Sequence, residues 1–451
     1  MHILKGYTKQ EISWMMYDWA NSAHSVIIVT LLPIFFDTVA GYTADSVSSM
    51  STWGYATSIA MLIVALAAPF LGVFGDIRGM RKKLFRFFML LGVAACAGMA
   101  FTPGMDFTSG PVAAGKVASL ILVLYIVSVI GFDASAIYYD AFLTDVTTED
   151  RMDKVSTMGY GLGYIGGSTI PLLIFLIMNL VGVPMLTCLA FVFGLTAVWW
   201  LAFSLPLLKN CEQTSGKPYE KGDVARSIKG VGTTIKEIIA NKPMLIYILS
   251  YFFYIDGVHT VISMATTYGT NLGLDSTGMM LALLLVQILG LPFCLLYIKC
   301  SEKFGARTMV GFGICVYMFI CIFAFFMNSL WQFWVLAVLC ATSQGGIQAL
   351  SRSMYGKLIP DKDRSGEFFG FFDIFGKFSS IMGPALVGVV SSVVANGMLG
   401  AQGLTAQTAT AEQIKLSTPG PAITAFCPSL LSSLWARCCT SLLPKAEHAK
   451  Q

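Results

Sequence analysis

Long apolar runs, separated by short polar connections, dominate this chain of 451 residues. Each run is about 20 residues or longer, which is the length that an α-helix needs to cross the hydrocarbon core of a bilayer. The pattern predicts eleven spans, at residues 13–36, 52–75, 84–102, 117–143, 157–180, 183–208, 244–268, 277–298, 308–327, 330–351 and 367–395. We therefore expect an all-α membrane protein, and we number these spans in chain order.

Two segments depart from the apolar pattern. Residues 209–243 form the longest polar stretch, in which basic and acidic side chains are interleaved, and we expect a cytoplasmic linker along one membrane surface. This linker separates two predicted transmembrane bundles, at residues 1–208 and 244–395. In residues 396–451 the last apolar run contains Arg437, and a charge near the centre of a span costs roughly 2.5–3.5 kcal/mol. We predict that this tail is a weak or aberrant twelfth span, and we hypothesise that a frame change removed the original helix.

Charged residues make up only 12% of the chain and hydrophobic residues 56%, which excludes an ordinary soluble domain. Lysine and arginine concentrate in the even-numbered connections, at Arg78, Arg81, Lys82, Lys83, Arg86, Arg151, Lys154, Lys299, Lys303, Arg307, Arg352, Lys357, Lys362 and Arg364. The positive-inside rule then predicts a cytoplasmic N-terminus. We expect a multi-pass protein of the plasma membrane, whose net charge of +4 is a topology signal and needs no nucleic-acid partner.

Three pairs of similar segments recur in the same order in the two halves of the chain. Gly72–Lys82 and Glu302–Arg307 both read acid, two residues, Gly, one residue, Arg. Asp150-Arg151 precedes a glycine and a proline by the same steps as Asp363-Arg364 does. More weakly, Asp18-x-x-Asn21-Ser22 resembles Asp256-x-x-His259-Thr260. Ordered repeats of this kind predict two related six-helix halves, which is typical of secondary transporters.

The segment Gly72–Lys82 resembles the signature loop of the major facilitator superfamily, G-x-x-x-D-x-x-G-x-R-K. Within that superfamily, four further segments resemble the vacuole effluxer family: Tyr17–Ser22, Asp256–Val258, Gln344–Ser353 and Glu367–Asp373. The resemblance implies a major facilitator fold and secondary transport of small polar solutes across the bilayer, with amino-acid export as the leading function. A sugar or drug transporter of the same fold is the alternative. From another class, a receptor or scaffold without flux is also an alternative, but it should carry a folded extramembrane module.

The loop after span two holds the first group of candidate residues. Asp76 can pair with a guanidinium group and cap a helix start, and the glycines allow a tight turn and close helix approach. The resemblance implies a conformational latch, formed by Gly72, Asp76, Arg78, Gly79, Arg81 and Lys82 and, in the second half, by Glu302, Gly305 and Arg307. The alternative is that the basic residues only anchor the topology.

Acidic residues inside predicted spans form the second group. Asp18 shares a helix face with Asn21 and Ser22, and it is either an interfacial capping residue or a proton or substrate site. Its counterpart Asp256, beside His259, supports the second alternative. In span four, Asp133 is the candidate proton carrier, which makes protons a candidate coupling partner. Asp140, seven residues later, is expected to pair with a basic loop.

Polar and small residues complete the sequence-based predictions. Gln344, Gln348 and Arg352 form a stripe that suits a carboxylate ligand or, alternatively, an interhelical hydrogen-bond ladder. Glycines 159, 163 and 167 lie four residues apart and predict close helix packing rather than a dinucleotide site, because no strand precedes them. The 11 cysteines are scattered without zinc-site spacing, and no catalytic motif occurs. We therefore expect neither a metal nor a cofactor, and no enzymatic activity.

Overall fold

A computed structural model describes residues 4–43, 49–218, 223–380 and 382–383, and this part of the chain is almost entirely α-helical. The long helices are α1 (Lys9–Ala40), α2 (Ser49–Gly75), α3 (Arg81–Met99), α4 (Pro111–Val146), α5 (Met152–Leu162), α6 (Thr169–Leu180), α7 (Met185–Asn210), α8 (Asp223–Ala240), α9 (Lys242–Asn271), α10 (Ser276–Phe304), α11 (Ala306–Phe325) and α12 (Leu330–Leu358). Another helix includes residues 365–380. The predicted all-α fold is confirmed.

Predicted spans one to ten are confirmed, since the described residues contain 10 helical segments long and apolar enough to cross a membrane. Span five comprises α5, a π-helical turn (Gly163–Ser168) and α6. The described part of span eleven is helical from residue 365. Residues 384–395 and the tail 396–451 lie outside the described residues, so the twelfth span stays a prediction.

Several helices extend beyond the apolar runs that predicted them, because their first and last turns are polar. Thr8 and Glu11 form a capping box at the start of α1, in which each side chain accepts the backbone N–H of the other residue. In the second half of the sequence, α12 continues to Leu358, seven residues past the predicted end of span ten. Arg352 therefore lies inside a helix and is buried, so the expectation that it anchors a loop is wrong.

Glycines bring α1 against span five, as their four-residue spacing predicts. A Cβ atom added at Gly159 would meet the Asp18 carboxylate, and one added at Gly163 would lie 2.6 Å from Ser22 Oγ. At Gly167 the added atom would clash with the backbone oxygen of Trp19. The prediction of close helix packing is confirmed, and it places Asp18 directly against α5.

The described residues divide into two compact units. Unit 1 combines Met1–Thr234 with the short segments Gly290–Ile298 and Arg352–Ile374. Unit 2 combines Ile235–Leu289, Lys299–Ser351 and the described residues from Phe375 onward. Unit 1 thus contains the first six spans together with segments from the second half of the sequence. The bundle boundaries 1–208 and 244–395 stay predictions.

The predicted linker has structure of its own. Lys217 forms an isolated parallel β-bridge with Ile77, through hydrogen bonds of 2.9 Å and 3.0 Å. The helix α8 follows and fills most of the remaining linker. The first part of the linker therefore lies against the loop between α2 and α3.

Candidate functional site

The loop between α2 and α3 joins the start of the helix at residue 365, within unit 1. Asp76 accepts the backbone N–H groups of Gly366 at 2.7 Å and Glu367 at 2.8 Å. These groups belong to the first helical turn, where unpaired N–H groups and the helix dipole favour an anion. Gly72 makes the approach possible, because a Cβ atom there would clash with the backbone oxygen of Gly366. The capping function predicted for the Asp76 carboxylate is therefore observed.

Arg81 is fully buried and lies at the centre of the same cluster. Its guanidinium donates to Asp76 at 2.9 Å and pairs with Asp145 at the end of α4. It also donates to the hydroxyls of Ser215 at 3.2 Å and Ser365 at 2.8 Å. One cation thus joins α3, α4, the linker and the helix at residue 365. The Arg81 side chain has no exposed surface and is held by specific protein contacts.

The linker contributes polar groups that the sequence-based prediction of this cluster missed. Gln213 accepts the backbone N–H groups of Gly79 and Arg81, and its amide donates to the carbonyl of Gly75. Asp145 accepts the backbone N–H and the hydroxyl of Ser215. These contacts hold the loop in the turn that Gly79 makes with a φ of 80°, a value that favours glycine. The linker segment therefore fixes the position of Arg81.

The other charged members of the predicted latch are less buried than Asp76 and Arg81. Arg78 is exposed, and its backbone N–H rather than its guanidinium contacts the linker. Lys82 is half-buried. In unit 2, Gly305 makes the expected turn with a φ of 83° before α11, but Glu302 is exposed and Arg307 is half-buried. The two repeated loops share their turn but differ in the burial of their charged residues.

The close contact at Gly72 gives a direct test of this packing. We expect Gly72→Ala to lower the free energy of unfolding by about 1–3 kcal/mol, because the added methyl group meets backbone that cannot move aside. Gly54 is the matched control in the same helix, since a Cβ atom there meets open space. Thermal unfolding of the purified variants in detergent measures both effects. Equal stability of the two variants would contradict the contact.

Asp76 also gives the loop a pH-dependent contribution to stability. It lies outside the spanning helices, and burial raises the pKa of its carboxyl from 3.8 to about 7, against the lowering effects of Arg81 and the two backbone N–H groups. Between about pH 4 and 7 the folded chain therefore binds a proton that the unfolded chain has released. The contribution of Asp76 to the free energy of unfolding is then largest below about pH 4 and declines as the pH rises through about 7.

A comparison of variants tests whether the contribution of Asp76 to stability declines as the pH rises. We expect the melting temperature of the wild type, minus that of Asp76→Asn, to fall as the pH rises from about 5 to 8. Asp106→Asn is the control, because hydrogen bonds from Ser109 and Thr108 lower the pKa of the exposed Asp106. The corresponding difference for Asp106 should be flat over this range. A flat difference for Asp76 as well would mean that its carboxyl does not titrate there in the folded chain.

A second buried arginine lies near Asp18 in unit 1. Arg352, on α12, donates to Asp18 at 3.2 Å and to Asp140 at 3.1 Å. It also donates to the hydroxyl of Ser156 at 2.9 Å and to the backbone oxygen of the same residue. The side chain of Arg352 is only 4% exposed. The expectation that Asp140 pairs with a basic loop is wrong, since its partner lies inside a helix.

Aromatic rings enclose the guanidinium of Arg352. Its central carbon lies 4.6 Å from the ring centre of Trp14, 5.2 Å from that of Tyr139 and 4.6 Å from that of Tyr160. Trp14 stacks on Tyr139 and donates its indole N–H to the Tyr139 backbone oxygen, which fixes both rings. We call the three rings with Asp18 and Asp140 the cation box.

The remaining candidates of unit 1 lie along α1 and α4. Ser22 donates to the backbone oxygen of Asp18 at 2.6 Å, and Asn21 is 8% exposed. Asp133 is buried in α4, at 3% exposure. His24, which the sequence-based predictions did not include, is buried at 1% exposure and bonds Ser128 through Nε2. These polar side chains lie inside spanning helices, where polar groups are costly and often functional.

Unit 2 contains the counterpart of the Asp18 segment. Asp256 is 1% exposed, and its Oδ1 atom has no hydrogen-bond partner among the residues that the structure describes. The same atom lies against Gly383. His259, one turn later, contacts the hydroxyls of Ser379 and Ser380 through Nδ1, at 3.3 Å and 2.8 Å. Asp18 and Asp256 are thus both buried in the corresponding helices of the repeat.

A mainly apolar cavity lies among α9, α10, α11 and α12, within unit 2. Its polar lining comes from Thr260, Tyr268, Gln287 and Gln344, and the buried Gln287 Oε1 has no hydrogen-bond partner in the described part of the chain. Gln348 is half-buried and does not line this cavity. The predicted stripe is therefore divided, because Gln344 faces the cavity whereas Arg352 contacts two carboxylates in unit 1.

Comparison with known proteins identifies relatives along nearly the whole chain. The profile of the family described as "Vacuole effluxer Atg22 like" matches residues 7–397. The MFS-type transporter YxiO of Bacillus subtilis is 41% identical over 439 residues, covering 96% of this chain and 97% of that protein. Because only 4% of the chain is left out, this alignment extends into residues 396–451, beyond the family profile.

More distant relatives and solved structures agree with this result. Autophagy-related protein 22-1 of Penicillium rubens is 25% identical over 263 residues, covering 53% of this chain. The chain spans only 44% of that fungal protein. Among solved structures, the proton:xylose symporter XylE has a TM-score of 0.67 at 15% identity, over 97% of this chain and 95% of the symporter chain. At this identity the likeness shows the fold, which is that of the major facilitator superfamily.

Proposed function

Because the chain belongs to the Atg22-like vacuole effluxer family of major facilitator transporters, we propose that it exports amino acids and couples this export to protons. The chain is a multi-pass membrane transporter rather than an enzyme, and its substrate is a small molecule. The amino-acid class rests on the family resemblance together with the polar groups inside the helices.

Three carboxylates buried inside spanning helices are the observation that carries the proposal. Asp18, Asp133 and Asp256 are 8%, 3% and 1% exposed, and each lies on a different helix, α1, α4 or α9. A buried charge in a membrane span is costly, and such residues usually belong to substrate or proton pathways. A structural scaffold would not need three of them.

One proposed solute-binding region uses the polar groups that face unoccupied space in unit 2. The cavity among α9 to α12 is mainly apolar but includes the amides of Gln287 and Gln344. A pocket with an apolar lining and a few polar groups suits a small molecule that has both an apolar part and hydrogen-bonding groups. Amino acids have this character, and their carboxylates can accept hydrogen bonds from Gln amides.

The cluster around Asp76 and Arg81 is proposed to act as a conformational latch. It joins the α2–α3 loop to the start of a helix from the second half of the sequence, through the two backbone N–H groups that Asp76 accepts. These contacts can be made or broken, and when they are made they would stabilise one conformation of the transport cycle. Release of the helix from Asp76 is the step that the latch controls.

The protein is proposed to lie in the plasma membrane with its N-terminus in the cytoplasm. The lysines and arginines of the even-numbered connections support this orientation. Arg81 and Arg352 are buried in the folded chain, and the remaining basic residues alone have the same asymmetry. The full-length likeness to a bacterial protein supports the plasma membrane.

Transport by variants tests the proposed residues. We expect Asp18→Asn and Asp256→Asn each to lower amino-acid flux about tenfold or more, because each removes a buried charge. A tenfold change corresponds to a free-energy difference of only about 1.4 kcal/mol. Asp106→Asn, in an exposed loop, is the matched control and should transport normally. Flux is measured in liposomes that contain purified protein. Normal flux in both buried-site variants would remove Asp18 and Asp256 from the transport site.

A further inference from the structure

The cation box differs from the surroundings of the other arginines described above. Arg81 is also buried, but one ring, Phe142, lies near its guanidinium, at 5.7 Å. Arg151 pairs with Glu11 and lies 5.9 Å from Tyr7, but its side chain is 32% exposed. Arg352 instead has three rings and two carboxylates around one guanidinium that is 4% exposed. This arrangement has the composition of a cation-binding site.

The charges of the box show why it needs a cation. Two carboxylates, Asp18 and Asp140, lie within 3.2 Å of the one guanidinium. If Arg352 moved away, the buried Asp18 carboxylate would lose its ion-pair partner, and a buried charge that loses its partner is strongly destabilising. Another positive group would remove that penalty. Arg352 can therefore leave the box at low cost when another cation replaces it.

We propose that the cation box binds the guanidinium or ammonium group of a transported solute, and that Arg352 occupies the box as a resident cation when no solute is bound. This proposal rests on the proposed transport function and names a substrate class for it, solutes with a cationic amino or guanidino group. Exchange between the solute and Arg352 couples solute binding to movement of α12.

The chemistry of the box selects among cations. The faces of Trp14, Tyr139 and Tyr160 attract a cation, and the carboxylates accept hydrogen bonds from its N–H groups. A planar guanidinium satisfies both requirements, as Arg352 itself does. A quaternary ammonium ion can contact the rings but cannot donate hydrogen bonds to Asp18 and Asp140. Anionic solutes are repelled by the two carboxylates.

The test uses purified full-length Arg352→Ala in detergent, with methylguanidinium as the probe. We expect millimolar methylguanidinium to raise the melting temperature of this variant saturably, and tetramethylammonium to raise it much less. The wild type, whose box is occupied, should respond much less. Arg151→Ala is the matched control, since it removes an arginine that also contacts an acid and a ring. It should show no specific response.

A second substitution shows whether the box itself carries the response to methylguanidinium. Adding Asp18→Asn to Arg352→Ala should abolish the response, and a response that survives this change would overturn the proposal. The same conclusion follows if lowering the pH stabilises Arg352→Ala but methylguanidinium does not, because protons would then replace Arg352.

If Arg352→Ala does not fold, competition by agmatine for arginine uptake into wild-type liposomes is measured instead, and absence of competition counts against the box. Flux of neutral amino acids without methylguanidinium binding would overturn this proposal and leave the proposed function intact.

Discussion

Arg81→Ala is expected to lower the free energy of unfolding by about 3–5 kcal/mol, because removing one partner of a buried ion pair leaves an uncompensated buried charge. Here two carboxylates, Asp76 and Asp145, lose their shared cation. The hydroxyls of Ser215 and Ser365 lose a donor as well. Few single substitutions in this chain should cost more.

The neighbouring arginine provides the control for this experiment. Arg78 lies in the same loop but is exposed, and Arg78→Ala should change the free energy of unfolding by no more than about 0.5 kcal/mol. Chemical or thermal unfolding in detergent compares the two variants. The accessibility of single cysteines on each membrane face tests the latch separately, and we expect it to change in Arg81→Ala only. Equal behaviour of the two variants would contradict a structural function for the buried arginine.

Arg352→Ala is the second substitution with a large expected effect, again about 3–5 kcal/mol of unfolding free energy. Its cause is that Asp18 and Asp140 lose the guanidinium that they share. Adding Asp18→Asn and Asp140→Asn to Arg352→Ala should restore a large part of the lost free energy of unfolding. The difference between the single and combined variants measures the coupling directly.

Lys357→Ala is a suitable control on the same helix. Its partner Asp153 is 20% exposed and the lysine itself is 29% exposed, so this ion pair should contribute only about 0–1 kcal/mol. A loss at Lys357 as large as that at Arg352 would mean that any ion pair of α12 has the same effect. If the combined neutralisation gave no recovery, the two carboxylates would not be the cause of the instability.

The spans could be predicted from the sequence because the bilayer imposes a length and an apolar composition on each helix. The helix ends were predicted less accurately, because capping turns such as Thr8–Glu11 are polar and continue the helix beyond the apolar run. The glycine spacing of span five also predicted a contact, because glycines at 159, 163 and 167 share one helix face. Local patterns of this kind need no knowledge of the fold.

The two arginine clusters show where sequence-based prediction ended. The capping function of Asp76 could be predicted because its loop has a recognisable pattern, but its backbone partner Gly366 is 290 residues away. Arg352 and Asp18 are separated by 334 residues, and no local pattern connects them. The rings of the cation box come from α1, α4 and α5, so only the packing of these helices brings them together. The pairing of Asp76 with a guanidinium group was predicted from its loop, whereas Asp145, the second partner of Arg81, was not predicted.

Flux of amino acids through the purified protein in liposomes is the direct test of proton-coupled amino-acid export. Uptake or release of a panel of labelled amino acids is measured with and without a protonophore, beside liposomes that contain Asp18→Asn. We predict flux of at least one amino acid that the protonophore reduces and that Asp18→Asn lowers about tenfold or more. Absence of flux for every amino acid, with protein that is folded and correctly inserted, would show that the protein does not export amino acids.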